Sequence, residues 1–162
     1  MAHPARNATP INILNPSRTF FVTTKAAMEK RILQSERNAG LLIDVLRALV
    51  AGRKFELHDF GIMPDHLHLL LTVYDGMTIE KAMQLIKGRF SHRLSQEFGF
   101  KGEVWQRGFA EEQSMNRESF ETHRRYIAEN PVKAGLAAAA NEFPFSFRYL
   151  AKRKAKTKVG RG

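Results

Sequence analysis

The stretch "KFELHDFGIMPDHLHLLLTVY", residues 54–74, has the pattern of two β-strands joined by a tight turn. Aromatic and aliphatic residues recur along both halves, and Pro64-Asp65 between them is typical of a turn. The alternation in the first half skips once near His58–Asp59, which indicates a β-bulge. The stretch therefore predicts a β-hairpin with an irregular first strand.

The second strand of this hairpin, residues 66–74, separates two kinds of side chain. Residues two apart point to the same face of a strand, so His66 and His68 share one side and can tilt towards a single ion. Imidazole is a competent ligand for several divalent metals. The plainer interpretation is a pair of surface histidines. The opposite side is apolar and can bury beneath helices; it carries Leu67, Leu69, Leu71 and Val73, whereas Leu70 and Thr72 accompany the histidines.

Further strand and helix patterns flank the hairpin and complete the order β-α-β-β-α-β-α. This order predicts an α+β fold, a ferredoxin-like sandwich (β-α-β-β-α-β) with helices on one face of an antiparallel sheet. An added C-terminal helix carries Tyr126. The segments are a strand at 19–24, a helix from Met28 to Val50 stopped by Gly52, a helix from Thr78 to about Glu97, a strand within 103–115, and a helix from Asn116 that Pro131 limits.

Length and composition indicate one compact domain. The chain has 162 residues, of which 43% are hydrophobic, and it has no cysteine, which excludes disulfides and thiolate metal sites. We expect a flexible N-terminal arm at 1–18, a domain at 19–150 and a basic C-terminal tail at 151–162. The start has no apolar signal segment and no run is long enough to cross a membrane, so we expect a cytoplasmic, nucleoid-associated protein without a membrane partner.

The charge favours a polyanionic partner. The net charge is +10, and the last eleven residues, "KRKAKTKVGRG", hold six cations and no acid, so the rest of the chain carries 10 − 6 = +4. Such a balance suits DNA, RNA or an anionic membrane surface. The plainer interpretation of the tail is a solvated basic segment.

The helix pattern in "RESFETHRRYIAENPVKAGL", residues 117–136, has an apolar side and a side that carries a phenol and an amide. Phe120 and Ile127 are seven residues apart and can face a core. Tyr126 and Asn130 are four apart and share another side. A phenol becomes a useful nucleophile when its electrophile is activated. A metal held by the two histidines and the amide oxygen of Asn130 would activate a phosphodiester there; otherwise Tyr126 is a half-buried packing residue.

Four segments together resemble one family. "MPDHLHLLL" at 63–71 resembles the HUH motif (His, bulky hydrophobe, His) of single-strand DNA transposases. "RRYIAENPVKAGL" at 124–136 resembles the tyrosine motif of the REP-associated tyrosine transposases. Between them, "MQLIKGRFS" at 83–91 and "VWQRGF" at 104–109 are also similar to that branch. The resemblance covers about residues 19–150.

This resemblance implies a specific reaction and a specific site. His66 and His68 match the HUH metal ligands, Tyr126 matches the nucleophile, and Asn130 matches the third ligand. The family cuts single-stranded DNA near a hairpin, forming a 5′-phosphotyrosine link and a free 3′-OH, with Mg2+ or Mn2+ as cofactor. The expected partner is single-stranded or hairpin DNA, and the expected assembly is a monomer or a homodimer.

The sequence departs from the family after "WQRGF". The family usually has an aromatic residue, then Asp-His, then an Arg three residues later, where this chain has Ala110, Glu111, Glu112 and Met115. Glu111 or Glu112 can stand in as a carboxylate, although a solvated acid pair is the plainer interpretation. The family's "WSS" after the tyrosine helix is "FSF" here, at 145–147.

These departures keep a second function open, a non-cleaving protein that binds hairpin or single-stranded DNA. An RNA-binding module is disfavoured, because the second strand of the hairpin carries histidines where such a module is expected to have aromatic residues that stack on bases. Single-stranded DNA is held by cations and aromatic rings. The candidates for such contacts, each also explicable as a solvated or core residue, are Lys87, Arg89, His92, Arg93, Trp105, Arg107, Arg124 and Arg125.

Overall fold

A computed structural model describes residues 18–161, with side chains described as far as Lys154. Its strands are β1 (Thr19–Lys25), β2 (Phe55–Ile62), β3 (His66–Val73) and β4 (Ala110–Gln113). Its helices are α1 (Glu36–Ala51), α2 (Ile79–Phe98), α3 (Arg117–Lys133) and α4 (Phe147–Arg161), with 3-10 turns at Ala27–Glu29 and Ala140–Glu142.

The four strands form one antiparallel sheet in the order β2-β3-β1-β4. This is the ferredoxin-like arrangement that the sequence predicts, with β3 and β1 in the centre. The bulge is also confirmed, because the β2–β3 register shifts between Leu57 and Asp59. His58 Nε2 then lies 2.7 Å from Thr72 Oγ1, so the bulge turns His58 towards the face that carries the paired histidines.

The main core lies between one face of the sheet and helices α1 and α2. As the alternation predicts, the apolar side of β3 is completely buried there. The helices begin at side-chain caps: Ser35 accepts the N–H of Asn38, and Thr78 accepts the N–H of Lys81. α2 ends at Gly99, whose φ of 67° is the left-handed conformation that glycine adopts without strain.

Helix α3, which carries Tyr126, covers the opposite face of the sheet. It contacts β2 and β3, and a small second core of Leu70, Phe120 and Ile127 holds it there. A Cβ added at Gly61 would lie 3.3 Å from Ile127 Cγ2, so the glycine in β2 lets the helix approach closely. The tyrosine helix is therefore docked directly above the strand that bears the paired histidines.

Two predicted helix boundaries are wrong. α1 begins at Glu36 and not at Met28, because Ser35 caps the helix and residues 27–29 form a separate 3-10 turn. α3 does not end before Pro131 but continues to Lys133. A proline inside a helix lacks an N–H and crowds the carbonyl four residues earlier, yet α3 continues past Pro131. A Schellman motif supplies the stop: Leu136 N–H donates to Pro131 O and Gly135 N–H to Val132 O.

The described residues extend past both ends of the predicted domain. Residues 1–17 of the predicted arm lie outside the described residues, but Arg18 Nε donates to Val73 O at 2.9 Å and is tied to the sheet. The boundary predicted at 150 falls inside α4, whose first turns pack on the main core through Phe147 and Leu150. In the described part of the chain, no helix has the length and apolar character needed to cross a membrane.

Candidate active site

The paired histidines of β3 point their Nε2 atoms at each other. The two Nε2 atoms are 3.1 Å apart, and each ring is held by its other nitrogen. His66 Nδ1 donates to Asp65 Oδ1 at 2.7 Å, and His68 Nδ1 lies 2.9 Å from the hydroxyl of Thr23 on β1. This Thr23 contact follows from the register, in which Thr23 is the cross-strand partner of His68.

These surroundings fit a divalent cation. The Asp65 carboxylate holds the His66 proton on Nδ1, which leaves its Nε2 lone pair facing the gap. The Thr23 hydroxyl can donate to His68 Nδ1 or accept from it, so either tautomer of His68 is accommodated. Two ligands at right angles around an ion, each at about 2.1 Å, lie about 3.0 Å apart. The observed 3.1 Å separation matches that spacing.

Burial keeps His68 uncharged. Its side chain is buried, and desolvation together with the nearby His66 lowers the pKa of His68 to about 3. A neutral imidazole is the form that binds a metal. Among the described residues, no group of three or more His, Cys, Asp or Glu side chains is placed to hold a metal, so a third protein ligand would have to be of another kind.

Tyr126 stands beside this pair. Its ring meets the His68 ring edge-on, with centroids 5.4 Å apart and planes at 80°. The side chain is 48% exposed, so the phenol is open to a large substrate. Asn130 lies one helical turn further along α3 and is half-buried, and its main-chain carbonyl accepts the N–H of Ala134 at 3.0 Å. Its role as a ligand stays a prediction.

Two of the predicted DNA contacts are used inside the protein. Trp105 is 9% exposed and donates from Nε1 to the carbonyl of Lys87 at 3.1 Å. The Lys87 ammonium donates to the carbonyls of Gln106 and Gly108, and burial lowers its pKa. Both side chains therefore hold the loop after residue 103 against α2, which supports the plainer interpretation for this pair.

The other predicted cations divide into paired and exposed groups. Arg93 bonds Glu97 on the same helix, with Nε 2.6 Å from Oε2, and is half-buried. Arg124 faces a buried carboxylate on β2, that of Asp59, with Nε 3.5 Å from Oδ2. Arg89, His92, Arg107 and Arg125 are exposed, so they remain the candidates best able to reach a nucleic acid.

Asp59 is a polar group beneath the tyrosine helix that sequence patterns did not single out. Its side chain is 1% exposed, and Oδ1 accepts the N–H of Phe60 at 2.8 Å. Within the described residues, neither Asp59 Oδ2 nor Arg124 Nε makes a hydrogen bond. Desolvation raises the pKa of Asp59 to about 6, and the Arg124 charge opposes this only in part. The ionised carboxylate is consequently costly in the folded protein.

Replacing Asp59 by Asn tests this cost. The folded pKa lies above the ordinary 3.8, so the stability from this group is fully present below about pH 4 and is lost as pH rises through about 6. Relative to the wild type, the free energy of unfolding of Asp59→Asn should therefore rise by about 2–3 kcal/mol between pH 4 and pH 7. Urea unfolding at four pH values measures this difference, and a difference that stays constant with pH would contradict the assignment.

A further imidazole, that of His123, lies three residues before Tyr126 on α3. His123 is buried on α3, with Nδ1 2.7 Å from Ser114 Oγ and Nε2 3.1 Å from Glu112 Oε1. Glu112, one of the two acids that replace the family's Asp-His, therefore bonds His123, although its side chain is 71% exposed; Glu111 is exposed too. Sequence reasoning missed this contact and those of Thr23 and Asp65. Only the place of Asp65 directly before His66 gave a local signal.

A ferredoxin-like sheet with a His-x-His pair on its central strand and a helix-borne tyrosine over the same face is the arrangement expected of an HUH single-strand DNA transposase. The family described as "Transposase IS200 like" matches residues 20–130, and the chain belongs to this family. The resemblance stated from the sequence is confirmed, and so is the assignment of the chain to a family of transposases.

Two relatives agree with this assignment. The REP-associated tyrosine transposase of Escherichia coli strain K12 is 32% identical over 95 residues, which cover 58% of this chain. The chain spans 54% of the length of that relative, or about half. A Haemophilus influenzae protein that provisionally carries the same name is 31% identical over 135 residues, covering 71% of this chain and 75% of that protein.

Two solved structures are similar to this one. A REP-associated tyrosine transposase bound to a REP hairpin superposes with a TM-score of 0.69 and 26% identity, over 85% of this chain and 81% of that chain. A protein of Deinococcus radiodurans, provisionally described as a transposase, has a TM-score of 0.53 and 22% identity over 69% of this chain and 88% of that one. The second likeness concerns the fold alone, and both agree with the ferredoxin-like class.

Proposed function

We propose that this protein cuts and rejoins single-stranded DNA near hairpins, using Tyr126 as the nucleophile. The observation that carries the proposal is the convergence of two anchored imidazoles, with Nε2 atoms 3.1 Å apart, and a phenol ring 5.4 Å from one of them. A relative with the same fold is bound to a REP hairpin, which supports hairpin DNA as the substrate class.

The proposed step is a transesterification. The Tyr126 oxygen forms a bond to phosphorus as the bond from phosphorus to the 3′-oxygen breaks. The phenol loses its proton and the departing 3′-oxygen gains one, so the products are a 5′-phosphotyrosine and a 3′-OH. One phosphate ester replaces another of similar energy, so the reverse reaction rejoins strands without ATP.

His66 and His68, with the Asn130 amide as the third ligand, would hold the divalent cation, Mg2+ or Mn2+. When bound, such an ion supplies charge neutralisation at a non-bridging phosphate oxygen. The chain's own part is to hold both imidazoles still: Asp65 and Thr23 fix their Nδ1 atoms. Imidazole nitrogen with one amide oxygen suits Mn2+ at least as well as Mg2+.

Incubating the protein with a hairpin that has single-stranded flanks, in the presence of Mn2+, tests the proposal. With a 3′-end label, radioactivity should move to a protein-sized band that resists denaturation. With a 5′-end label, a shortened strand should appear that a polymerase can extend. Chelation of the metal should abolish both products.

Hairpin binding without an adduct, across several hairpin sequences and both metals, would favour the alternative function, a DNA-binding protein that does not cleave. The motivating observation is the replacement of the family's Asp-His by Glu111 and Glu112. Glu112 nevertheless keeps a hydrogen bond to His123 at 3.1 Å, so the position remains connected to the tyrosine helix.

DNA affinity should depend steeply on salt and on the basic end of α4. Each phosphate contact to a single strand contributes a slope of about −0.7 in the log–log plot of affinity against salt. Removing residues 152–162 should weaken binding and flatten this slope, while adduct formation at saturating DNA persists. Titrations by fluorescence anisotropy at several salt concentrations measure both effects.

A matched control keeps the chain length. Replacing the six cations of residues 152–162 by Gln preserves helix-forming residues and removes charge alone. It should reproduce the weaker binding of the truncated chain. Affinity that is insensitive to salt, or adduct formation that vanishes with the tail even at saturating DNA, would contradict an accessory electrostatic role.

A further inference from the structure

Phe21 lies at the centre of the aromatic contacts between the paired histidines and the tyrosine helix. Phe20 and Phe21 are neighbours on β1 and point to opposite faces of the sheet. Phe20 packs against the main core beneath α1 and α2. Phe21 packs against the second core beneath α3 and is half-buried.

The rings of Phe21, His68, His123 and Tyr126 pack together here. Phe21 stacks on His68, with centroids 5.5 Å apart and planes at 21°, and on His123, at 4.7 Å and 8°. Tyr126 meets Phe21 edge-on at 5.6 Å and 80°. Since Tyr126 also meets His68 edge-on at 5.4 Å, the phenol ring contacts two of the three stacked rings, Phe21 and His68. These are favoured geometries for aromatic pairs.

Hydrogen bonds orient the His123 end of the stack. The His123 ring is bonded at both nitrogens, by Ser114 Oγ and Glu112 Oε1. Ser114 is itself 1% exposed, and its N–H donates to Thr19 O at 2.9 Å. Phe21 therefore stacks both on His123 of α3, which is hydrogen-bonded at both nitrogens, and on His68 of the proposed metal site.

We propose that Phe21 is a positioning residue, which places the Tyr126 ring relative to the His66–His68 pair. The proposal rests on the proposed function, because it concerns the reach of the nucleophile to the phosphate. A misplacement of about 1 Å can reduce a rate by about a hundredfold. Phe21 itself has no group that reacts, so its influence acts through the rings it touches.

The experiment compares Phe21→Leu with Phe20→Leu, a matched pair that removes the same ring from opposite faces. Adduct formation by Phe21→Leu, at saturating hairpin and Mn2+, should slow by about tenfold to a hundredfold. Phe20→Leu should slow it by less than about threefold, although it also loses core packing. Hairpin affinity should change little in either variant, and Phe21→Tyr, which keeps the ring, should recover most of the rate.

A measurement that needs no reaction separates this proposal from the proposed function. The Tyr126 and His68 ring centroids lie 5.4 Å apart, so nuclear Overhauser contacts between these two rings report their placement without depending on the ring current of Phe21. Phe21→Leu should weaken these contacts, and Phe20→Leu should leave them unchanged. The three tyrosines are assigned by single Tyr→Phe variants.

Each outcome bears on one claim. If the wild type forms the adduct and the two Leu variants slow it equally, positioning by Phe21 is wrong and the proposed function stands. If the wild type forms no adduct, the proposed function fails and the NMR comparison alone decides about Phe21. Tyr126–His68 contacts that weaken equally in both Leu variants, or in neither, overturn the positioning role.

Discussion

Tyr126→Phe should lose the covalent DNA adduct while keeping the fold and the affinity for hairpin DNA. The substitution removes one oxygen, the atom that would bond to phosphorus, and leaves the ring contacts with Phe21 and His68 in place. We expect the rate of adduct formation to fall by a thousandfold or more, to about the background. Another side chain could replace the missing nucleophile only if it moved into the position of the phenol oxygen.

The chain offers matched controls for this substitution. Tyr74 and Tyr149 are the other two tyrosines, and the Arg53 and Arg153 guanidinium carbons lie 5.9 Å from their respective ring centroids. Tyr74→Phe and Tyr149→Phe should form the adduct at the wild-type rate. An adduct that survives in Tyr126→Phe and maps by mass spectrometry to another residue would reject Tyr126 as the nucleophile.

The second large effect concerns the paired histidines. His66→Ala should abolish cleavage and leave much of the hairpin binding, because affinity comes mostly from phosphate contacts away from the proposed metal site. A bound ion provides several kcal/mol of charge stabilisation in such reactions, so the rate should fall by about a thousandfold or more. His68→Gln should reduce the cleavage rate to a similar extent, and the larger glutamine side chain leaves a smaller cavity than alanine would at this buried position.

Metal binding gives a readout that is independent of the reaction. Titration of Mn2+ followed by electron paramagnetic resonance should detect one bound ion in the wild type and a much weaker site in His66→Ala. Thr23→Val, which removes the partner of His68 Nδ1, should weaken binding by about tenfold to a hundredfold. His92→Ala, at an exposed position of α2, is the control. Unchanged Mn2+ affinity in His66→Ala would exclude the pair as ligands.

Much of the fold could be predicted from patterns of residues close together in the sequence. The period of two along β3 separates a buried apolar side from the side that bears His66 and His68, and the structure has the same division. The skipped alternation at His58 corresponds to the bulge in β2. Caps at Thr78 and Asn116 begin helices where expected. These features depend on residues close in sequence, which a single stretch of chain contains.

The two helix-boundary errors arose where one local signal overrides another. A continuous apolar pattern from Met28 suggested a longer α1, but the chain makes a separate turn before Ser35 caps the helix. Pro131 does not end α3, since the stop comes from the Schellman motif that Gly135 and Leu136 close after Lys133. Trp105 and Lys87 both make hydrogen bonds within the domain, and their contacts with DNA stay a prediction.

The order of elements, the shared face of His66 and His68, and the family of the chain could all be predicted from local patterns and motifs. The residues that support the two histidines and the tyrosine helix became apparent only in the folded chain: Thr23 opposite His68, Glu112 on His123, and Phe21 stacked on both imidazoles. Strand register and helix docking bring such residues together from positions tens of residues apart. Periodicity along the chain predicts which face a side chain points to, but not which residue from another element it will contact there.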